Sequence, residues 1–97
     1  MSASLSTHVL DTGRGRPASG VLVELFQGAE LVATGVTGSD GRIAKLAAEL
    51  DPGSYRLVFH PGTDFFARVE LEVALADGHF HVPLLVSPYS CTTYRGS

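Results

Sequence analysis

The chain has 97 residues, a formal net charge of −3 and a hydrophobic share of 44%. That length suits one domain, residues 1–97, with a modest core that self-association would help to stabilise. The charge balance offers no basic surface for nucleic acid, the apolar share is too high for a disordered chain, and no apolar run is long enough to cross a bilayer. The first residues lack a basic segment followed by an apolar stretch, so no signal peptide is expected. Cys91 is the single cysteine, which excludes an internal disulfide and fits a reducing, cytoplasmic setting.

Along the chain, apolar and polar residues alternate and helical periodicity is poor. Eight strands are predicted, at 5–10, 20–27, 31–37, 42–46, 54–60, 66–74, 79–87 and 90–95. The first, Leu5-Ser6-Thr7-His8-Val9-Leu10, carries a histidine at mid-strand. Turn-forming residues from Gly13 to Gly20 separate it from Val21, Val23 and Leu25, which alternate with Leu22, Glu24 and Phe26. A turn at Gly38 to Gly41 ends in Asp40-Gly41 and delivers Arg42 to the head of the fourth strand. Ala44 to Leu50 is the only stretch that could pass for a helix, and Pro52 and Gly53 would end it. Val69, Leu71 and Val73 alternate with Arg68, Glu70 and Glu72, the cleanest half-buried strand. Pro83 cannot donate to a ladder, so the seventh strand is predicted to carry a bulge or to be exposed on that side. Short strands with regular punctuation predict an all-β sandwich.

Few side chains could carry chemistry. His79 and His81 lie two apart and share a strand face, as the two imidazoles of a metal half-site would. Further ligands are missing, because Cys91 is a poor one and His60 is far along the chain, so neither metal nor cofactor is expected. Cys91 itself reads as core or interface filler, since no sequence-adjacent base would activate it. No glycine-flanked serine or serine–histidine–acid order suggests a covalent nucleophile. In the tail, Tyr94-Arg95-Gly96-Ser97, Arg95 offers a rigid guanidinium, Gly96 permits close backbone approach, and Ser97 adds a hydroxyl and a carboxylate.

Four segments taken together, Leu5 to Asp11, Ser39 to Arg42, His79 to Tyr89 and Tyr94 to Ser97, resemble the 5-hydroxyisourate hydrolases, the transthyretin-like enzymes of urate breakdown. The resemblance runs from Leu5 to Ser97. It implies a transthyretin or prealbumin-like β-sandwich of about eight strands and a metal-free, histidine-assisted attack of water on a cyclic amide. It also implies a small-molecule substrate and a homotetramer with the site where subunits meet. Carried over motif by motif, it places His8, Arg42, His81 and Ser97 in catalytic roles, with Arg95 and Tyr94 helping to hold substrate and His79 as a neighbour. An imidazole titrating near neutrality can take a proton from water and return it to a leaving nitrogen, while a guanidinium holds an oxygen on which charge develops. The chain departs from the family after His60, where Pro61-Gly62-Thr63-Asp64 leads almost directly into Phe65-Phe66 and the usual short helix is expected to be reduced or missing. Cys91 stands where the family commonly has an aromatic. The first half also resembles prealbumin-like spacer and binding modules, so a non-enzymatic binding or structural module is the alternative. Such a module has no need of His8, Arg42 and His81 together, and transthyretin lacks the Tyr-Arg-Gly-Ser ending.

Overall fold

The computed structural model describes residues 1–96 and contains ten strands, with no helix among those residues. In chain order they are β1 Ala3–Asp11, β2 Arg16–Pro17, β3 Leu22–Gln27, β4 Glu30–Val36, β5 Arg42–Leu50, β6 Gly53–His60, β7 Val69–Leu75, β8 Gly78–His81, β9 Leu84–Ser87 and β10 Ser90–Thr93. They form two sheets facing each other across the apolar residues. One is a four-stranded antiparallel sheet in the order β4-β3-β6-β7. The other has six strands and is organised around β1.

β1 is long enough to serve four neighbours in succession. Along one edge its first half pairs with β8 and its second half with β9, both parallel. Along the other edge it pairs antiparallel with β5 and then with β2. Strand residues alternate between faces, and β1 follows that rule. Ala3, Leu5, Thr7 and Val9 are buried, while Ser4, His8 and Leu10 between them are only partly covered. The core gathers Leu5, Val9, Phe80, Val82, Leu84 and Val86 from this sheet against Val23, Leu25, Tyr55, Leu57 and Phe59 from the other. Removing a side chain of this size from water is worth about 1.5–3 kcal/mol. A one-residue slip of β1 would therefore exchange four inward residues for serines and a histidine, which pins the register.

Pro83 divides the predicted strand 79–87 into β8 and β9. It makes no bulge, and it is fully buried rather than exposed. Ser6 pairs with His81 before the break and Val9 with Leu84 after it, so the register runs through unchanged. Proline lacks the N–H the ladder needs, and two threonine hydroxyls reinforce the gap. Thr7 donates to the carbonyl of Val82 at 2.6 Å and Thr93 donates to that of Pro83 at 2.8 Å.

The stretch from Ala44 to Leu50 is strand, continuous with β5. Pairing to β1 outweighs the helical preference of its alanines. Two register shifts along this ladder and a positive φ of 56° at Glu49 show where the extra residues are absorbed. The last strand ends at Thr93, short of the predicted 95, and β7 begins at Val69 rather than at residue 66. Residues 61–68 join β6 to β7 without a helix, as the short spacing implied.

Gly41 decides where Arg42 lies. Its φ is +77°, and a Cβ placed on it would sit 2.4 Å from the carbonyl oxygen of Val9. Glycine alone lets the Asp40-Gly41 turn press against β1, where the N–H of Val9 donates to the Gly41 carbonyl at 2.8 Å.

Candidate active site

Three strands bring the predicted side chains to the outer face of the six-stranded sheet. β1 presents Ser4, Ser6 and His8 there. The parallel register sets His79 beside Ser4 and His81 beside Ser6. The antiparallel register sets Arg42 of β5 opposite His8. Residues about 30 and 75 positions apart thus meet because β1 is flanked by β5 on one edge and β8 on the other.

The Asp40-Gly41 turn orients His8 and Arg42 together. The carbonyl of Asp40 accepts a hydrogen bond from His8 Nε2 at 2.8 Å, and its Oδ1 accepts from the backbone N–H of Arg42 at 3.0 Å. A carbonyl can only accept, so Nε2 of His8 carries a proton. The guanidinium of Arg42 has no ion pair among the described residues and is exposed. It is free to meet an oxygen brought to this face.

His81 is half-buried, and its Nδ1 lies 2.8 Å from the hydroxyl of Ser6. Burial holds its pKa below the ordinary imidazole value, and the Arg42 guanidinium and the His8 and His79 imidazoles push it the same way. The ring is therefore neutral near pH 7, with Nε2 directed away from Ser6 as the nitrogen open to a reactant. The Ser6 hydroxyl lies between His79 and His81. Among the described residues, no three His, Cys, Asp or Glu side chains converge as metal ligands.

The tail returns to this site after β10. The N–H of Gly96 donates to the His81 carbonyl at 2.7 Å, and a Cβ on Gly96 would meet His81 Cδ2 at 2.7 Å. The sequence suggested that Gly96 permits close backbone approach, and the group it approaches is the His81 ring. Arg95 is different: its guanidinium lies 4.3 Å above the Phe80 ring. Phe80 belongs to the core face, opposite to His81, so Arg95 anchors the tail by cation–π contact rather than joining the imidazoles. Tyr94 is exposed and makes no hydrogen bond to His8, Arg42 or His81 among the described residues. Ser97, the fourth predicted catalytic residue, lies outside the described residues.

The remaining polar features are accounted for elsewhere. His60 pairs with Glu24 at 2.6 Å on the four-stranded sheet. Cys91 packs against the core, and burial pushes its thiol pKa up, as befits a filler. A cleft of about 870 Å³ lies beside Arg16, Phe65 and Tyr89 and includes none of the predicted site residues. Among the described residues the imidazole face itself is open in the single chain, with Arg42 and His79 exposed. Ser6 escaped the sequence reading. The signal was present, because Ser4, Ser6 and His8 share one face, but its meaning depends on β8 lying alongside.

Comparison with known proteins finds relatives along nearly the whole chain. A sequence model of the HIUase/Transthyretin family matches residues 5–96. The protein described as 5-hydroxyisourate hydrolase 2 of Rhizobium meliloti is 43% identical, with 99% of this chain and 98% of that protein covered. That alignment runs over 118 positions against 97 residues here, so the relative carries residues with no counterpart in this chain. The structure of Klebsiella pneumoniae 5-hydroxyisourate hydrolase superposes with a TM-score of 0.91 at 38% identity, covering 98% of this chain and 99% of that one. Sea bream transthyretin in complex with thyroxine superposes with a TM-score of 0.85 at 30% identity, covering 95% and 93%.

Proposed function

The chain belongs to the HIUase/Transthyretin family, and from that premise we propose that it hydrolyses 5-hydroxyisourate. The observation that carries the reading is the meeting of His8, Arg42 and His81 on one sheet face. The same fold serves a thyroxine-binding protein, so the fold alone does not select hydrolysis and the side chains must. In the proposed reaction the ring carbonyl lies against Arg42. Water is activated at Nε2 of His81, and its oxygen bonds to the carbonyl carbon. The C–N bond then breaks, and the proton taken from water goes to the leaving nitrogen. The product is the ring-opened carboxylate, 2-oxo-4-hydroxy-4-carboxy-5-ureidoimidazoline. His8 faces the same substrate from β1. The ultraviolet decay of freshly generated 5-hydroxyisourate tests this reading. Acceleration by the protein, retained after chelation, is expected; decay at the spontaneous rate with folded protein would overturn it.

The working form in this reading is a homotetramer that closes the open imidazole face with a second subunit. Edge strands β4, β7 and β10 leave backbone groups unpaired, and Leu31, Val32 and Val36 of β4 are exposed. Both features favour pairing with further copies of the chain. Light scattering at micromolar concentration should give the mass of four chains, and a monomer there would remove the proposed enclosure of the site.

A further inference from the structure

Four side chains on the outer face form one continuous hydrogen-bonded path. Ser4 Oγ lies 2.7 Å from His79 Nδ1, His79 Nε2 lies 2.9 Å from Ser6 Oγ, and Ser6 Oγ lies 2.8 Å from His81 Nδ1. A serine hydroxyl has one proton to give, so Ser6 donates to one imidazole and accepts from the other. Two concerted arrangements follow. When His81 Nδ1–H donates to Ser6, Ser6 donates to His79 Nε2 and His79 Nδ1–H donates to Ser4, which leaves His81 Nε2 as a bare lone pair. When every bond reverses, Nε2 of His81 carries the proton.

We propose that Ser6 and His79 are positioning residues for His81, forming a relay that takes over the positive charge generated when His81 Nε2 accepts a proton. The inference rests on the hydrolytic reading of the site. In the relay, the Nδ1–H bond of cationic His81 breaks as that proton bonds to Ser6 Oγ, and Ser6 passes its own proton to His79 Nε2. Two bonds to hydrogen break and two form, Ser6 stays neutral, and one positive charge moves from His81 to His79. His81 is left neutral with its proton on Nε2, the form that donates to a leaving nitrogen. The reverse shift returns a proton to Nδ1 as Nε2 gives its own away.

The direction of the charge shift follows from surroundings. His81 is half-buried and faces His8 from β1 and Arg42 from β5, while His79 is its neighbour on β8. β9 adds no titratable group, and the tail brings Gly96 to the ring while Arg95 is held on Phe80. No carboxylate pairs with His81 among the described residues. His79 is exposed, where water stabilises an imidazolium. The relay therefore moves the charge away from a guanidinium and towards solvent. His79, expected from its motif to be only a neighbour, becomes a working part of the base.

Ser6→Ala and His79→Gln each cut the path, and His79 is exposed, so its variant should fold. Turnover is expected to fall about tenfold in each, short of the about 10²–10⁴-fold tied to loss of the base itself. Ser6→Thr, which keeps the hydroxyl, should restore it. A proton inventory in mixed light and heavy water should be curved for the unaltered protein and linear for the two broken variants. Ring-nitrogen NMR should show His79 and His81 titrating as a coupled pair, and separately in Ser6→Ala. Independent titration in the unaltered protein, or unchanged turnover and inventory in both variants, would overturn the relay. Coupled titration in a protein without hydrolase activity would support the relay and sink the substrate assignment instead.

Discussion

Replacing His81 with asparagine is expected to lower turnover of 5-hydroxyisourate by about 10²–10⁴-fold while leaving the melting temperature nearly unchanged. The ring lies on the outer face, so its loss opens no core cavity, and what disappears is the neutral nitrogen that in the proposed reaction accepts a proton from water. His8→Asn should fall in the same range. His60→Gln is the control, because His60 pairs with Glu24 on the other sheet and should keep full turnover. The pH dependence carries a sign that can be checked. Burial, Arg42, His8 and His79 all hold the His81 pKa below that of a free imidazole. The acidic limb of kcat/KM should therefore lie below the ordinary value of about 6.5, with full rate above it and loss as the ring protonates below it. Arg42→Met removes a cation that disfavours protonation, so the residual activity should lose rate at a higher pH. A limb that stays in place, with His81→Asn active, would move the base elsewhere.

The second large effect is expected at Gly96. Alanine there would place a methyl 2.7 Å from His81 Cδ2 and 3.3 Å from its Cβ and Cγ. Carbon atoms do not approach so closely, so the tail must lift or the ring must turn. The N–H···O bond from Gly96 to the His81 carbonyl, at 2.7 Å, would go with it. Displacing a reacting group by about 1 Å can cost on the order of a hundredfold in rate, and Gly96→Ala should lose that much turnover. Stability should change by less than about 1 kcal/mol, because the tail lies beyond β10 and outside the core. Deleting residues 94–97 should abolish turnover with a somewhat larger effect on melting, since the Arg95 contact with Phe80 is lost as well. Normal turnover in Gly96→Ala would show that the tail has no bearing on the histidine. Failure of the deletion to fold would make the tail structural.

What the sequence by itself determined was whatever depends on local period and residue chemistry. Alternation of Val21, Val23 and Leu25, and of Val69, Leu71 and Val73, marks strands because side chains in a strand repeat every two residues, whatever lies beside them. Proline's missing donor marked a disturbance at Pro83, and motif resemblance picked out His8, Arg42 and His81. The tertiary structure alone decided what depends on partners distant in the chain. Ala44 to Leu50 is strand because β1 offers it a ladder, which no local preference records. Pro83 interrupts hydrogen bonding without bulging because Thr7 and Thr93 reinforce the gap. Arg16–Pro17 forms a strand only because Leu10 and Asp11 lie opposite. Arg95 turned to Phe80 while Gly96 met His81, since adjacent residues of an extended tail face opposite sides. The Ser4–His79–Ser6–His81 path is the clearest case. Each residue was plain in the sequence, but hydrogen bonds act over about 3 Å, and only the parallel register of β1 with β8 brings residues about 75 positions apart within that reach.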